Sequence, residues 1–471
     1  MLRERRQDDA WQMRRPLLLS ILTATGLLAF WIFLIFRGFP FPNVDDCPYV
    51  GPALSLANGH GLTNPLLGQQ GPFYYYPPIY FYLLAGWLKL WGISAASVVL
   101  YYGIACWLTT WCVIRTFQIT GLETTGWLTV LALVVYFTCV GLRPDVTSLL
   151  FLSLSLRCGI SPRPRLRTLS PTLAILSIAT LPGSLALALP WLIYLLKTDR
   201  KLWRASVIGG LGVAALVLLL VHGQGWELWE GLQANSHLSR DHQLSWIAAN
   251  WDKPQGLIKS AFPVLVCALF VGVCARTRGL LWIDLLFILG TVLGLYASTM
   301  SISGQRSLAV VTVVGAAYYL ETGKPARPWK QILILAIVGV LVGAEPRHLL
   351  QGITTEKPSP QQAAQLRTEA EHLHPSRLII DEWSLRYVFD FQPSPNMLLL
   401  VLGQGDRPES HLSGIQKKLP DECWLLSAES VRLNSLAEPG LPIPSLLTLG
   451  GHPIGNWVTN AGELGLLPPA P

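Results

Sequence analysis

Two carboxylates stand side by side in Asn43-Val44-Asp45-Asp46-Cys47-Pro48-Tyr49, and a third follows a basic residue in Gly141-Leu142-Arg143-Pro144-Asp145. Each group lies close to the end of an apolar run, where ionisable side chains generally serve function. Paired carboxylates can divide the work of general acid and base, or together hold a divalent cation. Each group also has a plainer reading. The Asp45-Asp46 stretch has ordinary turn composition. In Arg143-Pro144-Asp145 the proline is expected to stop one helix while the aspartate caps the next. Capping does not exclude chemistry, and two acidic groups on one membrane face make a cleft in which an acid–base pair can form.

The elements that must position these groups follow from composition. Of 471 residues, 51% are apolar, only 13% are charged and 18 are tryptophan, the profile of an integral membrane protein. Apolar runs recur at residues 16–36, 94–117, 124–141, 146–160, 168–181, 182–196, 203–221, 257–274, 279–298, 307–320 and 331–343, giving a bundle of about eleven helices. The runs at 168–181 and 182–196 are short and meet at Pro182-Gly183, so they form either a tilted hairpin or one broken helix. The first run reads as a retained anchor, because it is longer than a signal-peptide core and no small-x-small cleavage site follows.

Basic residues orient the bundle. Arg3, Arg5, Arg6, Arg14 and Arg15 precede the first span, and alternate loops carry Arg163/Arg165/Arg167, Lys197/Arg200/Lys201, Arg276/Arg278 and Lys324/Arg327/Lys330. By the positive-inside rule those loops are cytoplasmic. Residues 37–93, 142–145, 222–256, 299–306 and everything after 344 are then expected outside. From residue 345 the long apolar runs give way to Pro, Gln, Glu and His with short strand-like runs at 378–381, 397–402 and 423–426. Two domains are therefore expected, a membrane domain over 1–344 whose external loop 37–93 carries the acidic pair, and a small external α/β domain over 345–471.

The net charge of +7 reflects this topology and points to anionic lipid headgroups, with no nucleic-acid partner implied. The eight cysteines show no metal spacing. Cys47 and Cys423 are the two expected outside, which leaves a disulfide between them open without requiring it. His222, His237 and His242 match no metal-ligand spacing.

The order of an external Asp-Asp, then Pro77-Pro78-Ile79-Tyr80-Phe81-Tyr82, then Arg143-Pro144-Asp145 resembles the GT-C superfamily of integral-membrane glycosyltransferases. The resemblance is nearest to the branch of dolichyl-phosphate-mannose protein mannosyltransferases and the bacterial aminoarabinose lipid A transferase, and it is clearest over residues 17–160. It implies that Asp45 or Asp46 lies at the active site, that Asp145 is the second acidic position, and that residues 77–91 form an amphipathic helix along the membrane surface. Asn235 resembles a polar position of a later external loop. Two departures stand out. Ala179-Thr180-Leu181-Pro182 sits where the family often has Lys or Gln before a Pro-rich turn, and Gly304-Gln305-Arg306-Ser307 replaces an Asn-Tyr motif. The donor site is expected to differ accordingly.

The implied reaction is inverting transfer of a sugar from a polyprenyl-phosphate donor to a lipid, glycan or protein acceptor. The leaving phosphate needs positive charge. Arg306 is the first choice, since a guanidinium can grip phosphate oxygens bidentately, and Arg143, Arg240, Lys253 and His237 are alternatives whose plainer reading is a solvated loop charge. A divalent ion held by Asp45, Asp46 and Asp145 could share that task. Tyr76 and Tyr80 are candidates to contact the donor, and Trp226, Trp229, Trp246 and Trp251 to stack on sugars or anchor at the interface. The competing class is a transporter or flippase of a lipid-linked or small polar substrate, but such sites tend to lie near the bilayer midplane, where these spans carry almost no charge.

Overall fold

The computed structural model describes residues 47–64, 72–74, 76–119 and 142–233, five strands between 377 and 458, and the isolated positions 25, 26, 29, 33 and 289. Within these residues the chain is mostly helical. The helices are α1 (Cys47–Ala57), α2 (Ile79–Trp91), α3 (Ala95–Ile119), α4 (Asp145–Gly159), α5 (Pro164–Thr180), α6 (Leu185–Thr198) and α7 (Leu202–Leu220). A helical segment over 225–233 follows. Helices α3 to α7 coincide with five of the expected spans. The runs at 124–141 and from 257 to 343 lie outside the described residues, as does most of the first.

Among the described residues two helices are long and apolar enough to cross a membrane, Ala96–Thr116 and Leu202–Leu220. Their surroundings differ. Helix α3 is largely packed inside the protein, whereas α7 exposes Trp203 (57%), Ile208 (71%), Leu211 (67%) and Leu219 (74%). In water each such side chain would forgo about 1.5–3 kcal/mol of burial, and a helix this long would not leave its apolar face uncovered. Against hydrocarbon the same face is at home, and the chain is read as a membrane protein on that ground.

Helix α2 is too short to span. Its 13 residues reach roughly 20 Å at 1.5 Å per residue, against about 30 Å of hydrocarbon. It buries Ile79, Tyr80, Phe81, Leu84, Ala85 and Leu88 along one side and leaves Leu83, Leu90 and Trp91 exposed. That two-sided pattern fits the surface helix expected over 77–91. The Trp87 indole donates to the Ser97 carbonyl at 2.9 Å, pinning the end of α2 to the start of α3.

The short runs on either side of Pro182 form two helices joined by a 3₁₀ turn, Pro182–Ser184. An ion pair of Arg167 with Asp199 at 4.0 Å brings the start of α5 to the end of α6, so the pair is an antiparallel hairpin. Helix α5 begins at Pro164, four residues before the apolar run. Proline suits a first helical turn because its missing N–H is one that no helix could use there.

Serines register α4 against α5. Ser148 and Ser177 exchange hydroxyl-to-carbonyl bonds at 3.0 Å, and Ser155 and Ser170 do the same at 2.7 Å. Each helix contributes serines seven residues apart, which is two turns and therefore one face. Small residues allow close backbone approach, the usual basis of helix association in lipid. The Trp191 indole of α6 donates to both Ser155 (3.0 Å) and Ser170 (3.3 Å). A Cβ at Gly159 would meet the Trp191 ring and the Ser170 hydroxyl, so glycine there is what lets the three helices converge.

The bundle thus has two ends. One carries Arg163, Arg165, Arg167, Lys197, Arg200 and Lys201, the residues expected in cytoplasmic loops. The other gathers α1, residues 72–74 and 76–82, the turn before α4 and the segment after α7. There His222 (φ 52°) and Gly223 (φ 78°) reverse the chain so that residues 225–233 fold back onto Tyr74. A left-handed histidine costs about 1–2 kcal/mol, which the packing of Leu228 and Val221 on Tyr74 offsets.

The strands β1 (Arg377–Asp381), β2 (Leu398–Leu402), β3 (Trp424–Ser427), β4 (Leu447–Leu449) and β5 (His452–Val458) form one mixed sheet in the order β2-β1-β3-β5-β4. The first three are parallel and match the three strand-like runs. The last two, antiparallel and starting from a chain of mixed composition, were not expected.

Candidate functional site at the aromatic end

Helix α1 begins at Cys47, directly after the acidic pair, where a turn was expected. Pro48 falls in its first turn, where proline is tolerated. The helix presents Tyr49, partly buried, to two neighbours. Its hydroxyl lies 3.3 Å from that of Tyr76, with ring centroids 4.9 Å apart, and the Arg143 guanidinium carbon sits 5.6 Å from the centre of its ring. That distance is within the range in which an aromatic face attracts a cation, worth about 0.5–2 kcal/mol depending on desolvation.

Arg143 and Asp145 are only 6% and 4% exposed. The reading of Arg143 as a solvated loop charge is therefore corrected: the connection into α4 is folded inward, and both of its charges leave water. Removing an ion from water costs several kcal/mol unless opposite charge and hydrogen bonds compensate, so oppositely charged residues on either side of Pro144 are a reasonable pairing of needs. The capping expectation is also corrected. Pro144 occupies the N-cap without a side-chain cap bond, and Asp145 is the first helical residue, where negative charge complements the helix dipole.

Tyr49 reports on this electrostatic setting. Its phenol is held well above the ordinary value of 10, first by burial and then by Tyr76 and Asp145, with Arg143 acting in the opposite direction. The phenol is therefore a neutral hydrogen-bonding group at any physiological pH.

The surrounding elements fix the turn from below. Tyr101 on α3 and Thr147 on α4 share a hydrogen bond of 3.0 Å, two residues past Asp145, and the Ser148–Ser177 pair follows at the next position. On the other flank Tyr74 bonds Gln224 through its hydroxyl, and Tyr82 donates to the Leu220 carbonyl at 2.7 Å. Burial raises both of these phenols above their usual value. The loop carrying α1 is thereby fastened to the end of α7.

Of the residues singled out from sequence, Arg143, Asp145 and Tyr76 meet around Tyr49. Tyr80 does not join them. It is 1% exposed and bonds Tyr102, an interior contact that packs α2 on α3. Asp45, Asp46, Asn235, Arg306, Arg240, Lys253 and His237 lie outside the described residues. So do Trp246, Trp251 and Cys423. Trp226 and Trp229 are described and exposed (69% and 58%), and the Trp226 indole donates to Glu230 at 2.6 Å.

No three His, Cys, Asp or Glu among the described residues come together to hold a metal ion.

Sequence reasoning passed over Tyr49 although it quoted the stretch that contains it. The available signal was its place three residues after Asp46, within reach of whatever site the acidic pair serves.

No protein-family model matches the sequence, and no curated protein matches it. Among solved structures the chain is similar to the crystal structure of ArnT from Cupriavidus metallidurans in the apo state, with 13% identity and a TM-score of 0.48, over 95% of this chain and 100% of that one. Identity and score at this level assign no activity.

Proposed function

We propose that the chain is an inverting glycosyltransferase that moves a sugar from a polyprenyl-phosphate donor to a lipid, glycan or protein acceptor at the outer face of the membrane. One observation carries the reading: the buried Arg143, two residues before the buried Asp145, packs against Tyr49 of a helix that starts immediately after Asp45-Asp46. Chain connectivity alone keeps the Asp46 Cα within about 11 Å of that of Tyr49, three extended residues at most. The two acidic motifs thus belong to one neighbourhood, as an acid–base site requires.

In this reading a carboxylate, Asp45 or Asp46 with Asp145 beside it, takes the proton from the acceptor hydroxyl or amine. The acceptor's electron pair forms the new bond to the anomeric carbon while the bond from that carbon to the phosphate oxygen breaks. The phosphate leaves with the bonding pair, and its charge is met by Arg143 or Arg306. Inversion follows from a single displacement with no covalent sugar intermediate. The polyprenyl tail stays in the bilayer. Residues 1–344 form the catalytic domain and 345–471 a domain on the same outer side.

The test is transfer from a panel of radiolabelled polyprenyl-phosphate sugars in liposomes containing the full chain, with Asp45→Asn, Asp46→Asn and Asp145→Asn, and with and without chelator. Loss of transfer in a folded Asp45 or Asp46 variant supports the mechanism. Consumption of no donor, or transfer surviving all three changes, moves the transporter reading ahead.

A further inference from the structure

We infer that Tyr49 is a positioning residue of this site: its ring holds the Arg143 guanidinium in place, and its hydroxyl bond to Tyr76 holds the ring. The inference rests on the reading of Arg143 and Asp145 as working groups, but its geometric core stands apart from that reading. Three contacts carry it. The Arg143 guanidinium carbon lies 5.6 Å from the Tyr49 ring centre, Tyr49 and Tyr76 share a hydroxyl contact of 3.3 Å, and their rings pack at 4.9 Å. Arg143 is almost wholly buried while Tyr49 and Tyr76 are half-buried residues, so the tyrosines form the cover and the charge lies beneath it.

An arginine side chain has several rotatable bonds, and a buried one samples few of them only when its planar end is held. The ring provides a flat, electron-rich surface to one face of the guanidinium. Helix α1 and the turn into α4 are far apart in sequence and are joined here by this contact. Moving the ring therefore loosens both the arginine and the placement of the helix that follows the acidic pair. Among the described residues the charged and titratable groups acting on Tyr49 are Tyr76, Arg143 and Asp145, and Arg143 is the positive one.

Two variants separate ring from hydroxyl. Tyr49→Phe keeps the ring, and Tyr49→Leu removes the aromatic face at similar bulk. The first readout needs no turnover: modification of Arg143 by phenylglyoxal in the full chain in liposomes, followed peptide by peptide by mass spectrometry. Wild type and Tyr49→Phe are expected to be protected, and Tyr49→Leu to be modified at least ten times faster while unmodified protein keeps its melting temperature within a few degrees. Equal rates in all three overturn the inference.

The second readout is transfer from the same panel of polyprenyl-phosphate sugars, with kcat and KM separated. Tyr49→Leu is expected to lose at least 20-fold in kcat with a smaller change in KM. Tyr49→Phe is expected within about threefold of wild type. Tyr49→Leu with wild-type kcat, or a Tyr49→Phe as impaired as Tyr49→Leu, overturns the inference. A wild type that transfers nothing while Arg143 labelling follows the expected order sinks the transferase reading and supports the Tyr49–Arg143 coupling.

Discussion

Helix α4 carries buried polar groups at both of its ends, and they are treated in opposite ways. Along its length Ser148 and Ser155 exchange bonds with Ser177 and Ser170, and every partner is neutral. At its start Arg143 and Asp145 bring ionic charge out of water and meet it with an aromatic cover. Neutral hydroxyls bonded to carbonyls can be buried at little net cost, and their net worth in lipid averages about 0.6 kcal/mol each. Buried ions are far more expensive, and apolar residues of the same size would generally stabilise a fold as well or better. The serine interface is what assembly alone would need, whereas the charged turn goes beyond that need and marks the place where chemistry is to be sought.

The sharpest way to break this contrast is to neutralise each side. Asp145→Asn should reduce sugar transfer by about 10²–10⁴-fold, the range of a lost general acid or base, a loss far beyond any fall in the folded fraction read by melting in detergent. A variant that keeps full transfer would make the charged turn structural after all.

The structural side should respond in stability first. Gly159→Leu forces a side chain into the Trp191 ring and Ser170, and overpacking of this kind costs about 1–3 kcal/mol. Thermal melting would read it. Any activity loss should scale with the unfolded fraction. Replacing both Ser155 and Ser170 by Ala leaves the Trp191 indole without either hydroxyl it donates to, a change of about 1–3 kcal/mol in the same assay. A variant as stable as wild type would mean that packing alone joins α4, α5 and α6.

The smallest expected effect is alkaline. The Tyr49 phenol is raised in the folded state, so the folded protein holds its proton more tightly than the unfolded chain does. The stability this gives is fully present below the ordinary phenol value near 10 and is lost as the pH rises toward the folded value. Melting curves should therefore fall more steeply above pH 10 in wild type than in Tyr49→Phe. Parallel curves would show that burial of this phenol has no part in stability.

Much of the helical fold was legible. Apolar run lengths located α3 to α7 within a few residues, and a short helix at α2 followed from the family resemblance at Pro77-Pro78-Ile79-Tyr80. The hairpin at Pro182 was left open, since periodicity does not say which way a chain turns after a proline. Helix α1 was missed because Asn43, Asp45, Asp46 and Pro48 all favour turns locally, and its fixing contacts with Tyr76 and Arg143 come from residues 27 and 94 positions further on in the chain. At the site the charges were visible as residue types, but their burial was not. Arg143 looked like a loop cation because a four-residue connection is normally wet. Tyr80 was a candidate to contact the donor, and nothing in the sequence says that its hydroxyl turns inward to Tyr102.

The two serine pairs also act as a vernier. Residues 148 with 177 and 155 with 170 run in opposite senses along α4 and α5, so the two marks coincide at one setting only. Sliding either helix by a single turn parts both, and a slip of seven residues, about 10 Å, would bring back no more than one. Because Ser148 stands three places beyond Asp145, that setting also fixes where the carboxylate stands along α5. The bundle carries its own ruler.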